Sequence, residues 1–150
     1  MFTGTIKTEF LDDGKWKLLE NITYKTDFSF VDKKRKSLLY SDYVGVIINI
    51  PKGFLTDFAS TPKFLHSFFP PTDLDYILSA ILHDYLYFSN YFTRLESDII
   101  FLQAMKLQGC PWWKRKAVFN GVRIGGWKAW QKHSDALLKG GRILGEIKFL

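Results

Sequence analysis

The sequence predicts an α+β fold: an N-terminal antiparallel β-meander followed by a helical hairpin and a third helix. Three observations carry that expectation. In VGVIINI, Val44, Val46, Ile48 and Ile50 fall on one side of a period-two pattern and Gly45, Ile47 and Asn49 on the other. After Pro71 the spacing becomes helical, with Leu74, Ile77, Leu78, Ile81, Leu82 and Tyr85 following i, i+3, i+4. Thr93-Arg-Leu-Glu96 then has the capping-box pattern, in which side chains at both ends satisfy free backbone N–H groups, and opens a second helix.

The stretches GTIKTEF, KWKLLE, ITYKTDFSFV and SLLYSDY are short strand candidates, separated by DDG near Asp12 and by the charge run DKKRK at Asp32–Lys36, which reads as a hairpin tip. Residues 1–50 are therefore expected to be mainly strands, 51–72 a loop opened by Pro51-Lys-Gly53, and 73–150 mainly helices, all in one domain. Thr72 is the expected N-cap of the first helix, with Asp73 and Asp75 in its first turn, where the helix dipole favours acids. The link at Ser89–Phe92 is short enough to make the two helices antiparallel. Gly109 and Pro111 close the second helix, and the third runs from Pro111 to Gly125-Gly126, where paired glycines break or bend it.

An aromatic fraction of 17% means that large rings fill the interior or an interface. Cys110 is the only cysteine, so no intrachain disulfide forms and a reducing compartment is the simpler setting. The N-terminus MFTGTIKTEF has no secretory leader, and no run approaches the about 18 apolar residues of a membrane span, so a soluble protein is expected.

The net charge of +6 is unevenly placed: residues 106–150 hold 10 Lys or Arg against 2 acids, and also four of the five tryptophans. One reading is a solvated basic face over a Trp-rich core. The other is a contact surface built from Trp112, Trp113, Lys114, Arg115 and Trp127, a mixture of cation and ring suited to phosphates or lipid headgroups. Nucleic acid is not the expected partner, because nothing in the chain supplies a base-reading motif.

The chemistry concentrates in ILHDYLYFSNYFTRLESDIIFLQAM, residues 81–105, where Asp98 stands among apolar residues and needs a partner. In a hairpin centred near residue 90, His83 and Asp98 lie seven and eight residues from the turn and reach nearly the same height. Asp98 would then hold one imidazole nitrogen and leave the other free as a base. Asp84, pointing further round the helix, would bind a cation or anchor a loop. The loop GFLTDFASTP offers more oxygens, from Thr56, Asp57 and Ser60. The plainer reading is that the His–Asp contact satisfies two buried polar groups and fixes the helix register. Ser60 lacks a nucleophile elbow, and His66 and His133 have no zinc-like spacing.

GFLTDFASTP, AILHDYLY, SDIIFLQAM and GCPWWKRKAVFNGVRIGGWKAW resemble, in order and spacing, the family catalogued as domain of unknown function 1353, found mostly in tailed bacteriophages and prophages. That resemblance covers about Ile48 to Trp130 and implies a phage protein of the host cytoplasm or the virion. HDYLYFSNY followed by the Asp of SDIIF is also similar to the helix pair of the secreted sn-2 phospholipases. It implies His83 as the base that activates water, Asp98 as its orienter, Asp84 as a calcium ligand, Tyr87 in the supporting hydrogen-bond network, and a membrane surface as substrate. Those enzymes have disulfides and a glycine-rich calcium loop; this chain has neither, unless Gly53–Ser60 substitutes for the loop.

Two functions follow. A small hydrolase acting on an ester or related bond requires an accessible His83 nitrogen with a cation near Asp84 and Asp57. A non-enzymatic virion or tail accessory subunit, or an antagonist of a host protein, would use the hairpin as a sealed clasp and the Trp-rich surface for its contact.

Overall fold

The computed structural model describes residues 1–26, 46–56, 73–138 and 146–149. Within them the fold is α+β, with N-terminal antiparallel strands in two small sheets followed by helices. The first sheet runs β1 (Phe2–Thr3), β4 (Ile22–Thr26), β5 (Val46–Ile50), β7 (Glu146–Phe149). The second runs β2 (Thr8–Phe10), β3 (Trp16–Leu18), β6 (Leu55–Thr56). Ile22 pairs with Ile50 and Tyr24 with Ile48, so the period-two pattern puts four large side chains on one buried face. The last strand, β7, comes from the tail of a region read as mainly helical and pairs with β5.

Four helices follow: α1 (Ile77–Ser89), α2 (Arg94–Leu107), α3 (Trp112–Gly125) and α4 (Trp127–Leu138). Among the described residues no helix is long and apolar enough to cross a membrane. The first helix starts later than its sequence suggests. The Asp73 side chain accepts from the Asp75 N–H in a turn of its own, and both carboxylates bind Lys114 of α3. Neither acid lies in the first helical turn, the N-cap is Tyr76, and Leu74 is 82% exposed instead of joining the apolar stripe. Asn90, in the left-handed region at φ 48°, ends α1, and the Thr93–Glu96 capping box starts α2 as expected. The glycine pair does break the third helix, and α4 begins directly after Gly126.

The hairpin of α1 and α2 is covered on two sides. One face, with Ile81, Leu82, Tyr85, Leu86, Ile100 and Ala104, packs on the buried face of the strands. The other, with Tyr76, Ala80, Phe101 and Met105, packs on Cys110, Val118 and Val122. His83, Tyr87 and Asp98 are buried on this second side, where His83 stacks on Phe101. The charge run DKKRK and the loop residues Asp57 and Ser60 lie outside the described residues.

Candidate functional site

The two helix caps place the site. Because α1 stops at Asn90 and α2 starts at Thr93, residues equally far from the link face each other, and His83 Nε2 meets Asp98 Oδ1 at 2.7 Å. The Tyr87 hydroxyl, one turn along α1 from His83, donates to the same oxygen at 2.7 Å. The other carboxylate oxygen accepts from Arg123 Nη1 at 2.5 Å. Arg94 closes the cluster: its Nε reaches the Tyr87 oxygen at 3.4 Å, and its Nη2 donates to the carbonyls of Val122, at 3.0 Å, and Arg123. The imidazole lies between the rings of Tyr87, 4.1 Å away, and Phe101, 4.6 Å away, and Trp130 of α4 sets its edge against Tyr87.

The charges sort themselves by these contacts. Burial alone would raise the Asp98 carboxyl, but hydrogen bonds from His83, Tyr87 and Arg123 outweigh it and hold the group below its ordinary value. Burial pushes the His83 imidazole down by more than Asp98 raises it, with Arg94 adding to the fall. Tyr87 is pushed far above its usual range, chiefly by burial and then by Asp98, and remains a donor. With Asp98 ionised and His83 neutral, the imidazole proton belongs on Nε2. Nδ1 is then a bare acceptor, and it is buried with no hydrogen-bond partner among the described residues.

The predicted residues therefore divide. His83, Tyr87 and Asp98 are brought together. Accessibility, which a hydrolase was expected to need, is not met in this conformation: His83 is 0% exposed. Asp84 accepts from the Thr56 hydroxyl, so it ties α1 to β6. Asp57 and Ser60 lie outside the described residues, among which no group of three or more His, Cys, Asp or Glu could hold a metal.

On the surface, Trp112, Trp113 and Trp127 are 69%, 54% and 46% exposed, which overturns the reading of a Trp-rich core. Lys114 is not part of that surface: it is buried between Asp73 (2.5 Å) and Asp75 (2.6 Å), whose carboxylates overcome the cost of burial and raise its pKa. Arg115 is half-buried and donates to the Cys110 carbonyl at 2.7 Å. Sequence reasoning missed Arg94 and Arg123. A buried carboxylate signals that a cation must exist, but the choice of Arg123, 25 residues away, depends on how α3 docks.

A family model described as Protein of unknown function (DUF1353) matches residues 16–122, most of the chain. The chain belongs to this family. The DUF1353 match runs from β3 into α3, so it takes in His83, Tyr87, Arg94 and Asp98 and ends one residue before Arg123. No curated protein and no solved structure matches the chain.

Proposed function

We propose that this DUF1353 protein is a small hydrolase-like protein, acting on an ester or related bond, with His83 as general base and Asp98 as the carboxylate that orients it. One observation carries the reading. His83 Nε2 is held by Asp98 while Nδ1 is buried with no partner among the described residues. A histidine kept only for packing is stabilised by satisfying both nitrogens, and a lone pair left bare in the interior costs about 1–3 kcal/mol.

In this reading Nδ1 takes a proton from water as the water oxygen bonds to the carbonyl carbon. The proton passes to the departing alkoxide when the ester C–O bond breaks. Asp98 holds the tautomer and stabilises the imidazolium between those steps, while Tyr87 and Arg123 hold Asp98. Substrate reaches Nδ1 only after the covering side chains move, since the ring is sealed at rest. Calcium, implied by the phospholipase resemblance, takes about six to eight oxygens. Asp84, the ligand that the resemblance implies, accepts from the Thr56 hydroxyl, and the loop residues Asp57 and Ser60 lie outside the described residues, so no step is routed through the ion. A phospholipid substrate and a phage setting belong to the same proposal and rest on the resemblances of the motifs.

The test pairs turnover with spectroscopy. Purified protein is screened on p-nitrophenyl esters and on phosphatidylglycerol, and His83→Asn is expected to abolish hydrolysis while its circular dichroism stays unchanged. Nitrogen NMR should show the Nε2–H tautomer with an unprotonated Nδ1. Turnover surviving in His83→Asn sinks the proposal.

The 0% exposure of His83 favours a second reading, a non-enzymatic phage virion or tail accessory subunit or a host-protein antagonist, in which Asp98 clasps α1, α2 and α3 together. Absence of any turnover, together with recovery of the protein in purified virions or with a host partner, would select it.

A further inference from the structure

Three helix termini meet at one end of the molecule. Because α1 and α2 are antiparallel, the start of α1 and the end of α2 lie together, and α3 begins after a short turn at Gln108–Pro111. Ser79 near the start of α1 donates to the Gln108 side chain, and Lys114 of α3 binds Asp73 and Asp75, which flank Leu74. Leu74, Leu107, Trp112 and Trp113 therefore share this end, and they are 82%, 61%, 69% and 54% exposed. Large apolar side chains in such number at one place mark a contact surface.

The charge around them is mixed but net positive, with Lys106, Lys114, Arg115 and Lys116 against Asp73 and Asp75. Asp73 and Asp75 share Lys114, and Lys106 and Lys116 are exposed to solvent. The whole region from residue 106 onward, these lysines included, holds 10 Lys or Arg against 2 acids. We infer that this end docks on an anionic lipid surface, with Trp112 and Trp113 at headgroup depth, Leu74 and Leu107 at the acyl boundary, and Lys106 and Lys116 against the headgroups. The make-up of the patch favours lipid over a protein partner: exposed tryptophan and leucine side chains occur together with exposed lysines. Tryptophan prefers the interface because its ring is apolar and its N–H is polar, and each nearby lysine adds attraction to anionic headgroups. The patch lies about 13 Å along α2 from Asp98, so the inference holds or fails independently of whether His83 is a base.

The experiment is sedimentation of the full chain with vesicles of phosphatidylcholine alone and of equal parts phosphatidylcholine and phosphatidylglycerol, at low and at physiological salt. Binding to the anionic vesicles with a blue shift of tryptophan fluorescence is expected, weakened by salt and much weaker on neutral vesicles. Trp112→Ser with Trp113→Ser should lower partitioning by about tenfold or more, and Lys116→Ala by about fivefold, with unchanged circular dichroism. No binding to anionic vesicles at low salt overturns the inference. Equal binding by the double tryptophan variant overturns the location, leaving only diffuse basic attraction. An acidic protein retained by the wild type and lost by that variant, without vesicle binding, assigns the surface to a protein partner and also overturns it.

Discussion

Arg123 on α3 donates to Asp98 on α2 at 2.5 Å, and Asp98 is fully buried while the Arg123 side chain keeps 34% of its exposure. The guanidinium thus brings a water-facing cation to an interior carboxylate that His83 and Tyr87 alone would leave unneutralised. Removing the carboxylate strands Arg123 and the donors of His83 and Tyr87 together. Asp98→Ala is expected to cost about 3–5 kcal/mol of unfolding free energy in urea, and Arg123→Ala less, because solvent reaches it. Combined, the two changes should cost less than their sum by about 0.5–3 kcal/mol. Strict additivity would mean that the pair contributes no coupling.

The same cluster predicts an acid-labile fold. The His83 pKa is lowered in the folded state, mainly by burial, so below its ordinary value of 6.5 the unfolded chain binds a proton that the folded chain does not. Its contribution to stability is present above 6.5 and is lost as pH falls towards the folded-state value, with a slope of at most about 1.4 kcal/mol per pH unit. Asp98, held below 3.8 against the opposing effect of burial, acts in the same direction at lower pH. Urea midpoints measured from pH 7.5 to 4.5 should fall over this range, and His83→Asn should flatten the upper part of the decline. An unchanged slope in that variant would place the acid sensitivity elsewhere.

Gly126 separates α3 from α4 at an ordinary φ of −76°, so its need for glycine is steric. A Cβ there would lie 2.6 Å from the Val122 carbonyl oxygen and 2.9 Å from the Tyr87 hydroxyl, pressing on the group that donates to Asp98. Gly126→Ala is expected to destabilise by about 1–3 kcal/mol, the usual cost of overpacking. Gly109 is the control: its φ is +84° and the added Cβ meets nothing within 4 Å, so Gly109→Ala should cost only about 1 kcal/mol of backbone strain. Thermal melts should therefore rank Gly126→Ala below Gly109→Ala, and the reverse order would count against a packed Tyr87–Gly126 contact.

Thr93 fixes where α2 begins, through its side chain and the returning Glu96 carboxylate, which accepts from the Thr93 N–H at 2.8 Å. Thr93→Ala should lower stability by about 1 kcal/mol, whereas Thr93→Ser should be nearly silent. Chemical denaturation distinguishes them, and equal losses would show that the hydroxyl is not what caps the helix.

The sequence by itself determined much of what depends on local spacing, though not where α1 begins. Alternation in VIINI specified a strand with Val46, Ile48 and Ile50 inward, the capping box specified the start of α2, and the short link made His83 face Asp98, because dihedral preference and side-chain period act over a few residues. Tertiary structure decided what depends on docking. The early turn at Asp73 and Asp75 exists because Lys114 arrives from α3, and Arg123 reaches Asp98 because α3 crosses α2 where it does. The strand β7 forms because the edge of β5 offers unpaired backbone groups, which EIKF satisfies although no pattern in the tail announces it. Ion pairs and edge pairings between distant segments have no period along the chain: their partners are chosen by which surfaces meet when the hydrophobic faces are buried.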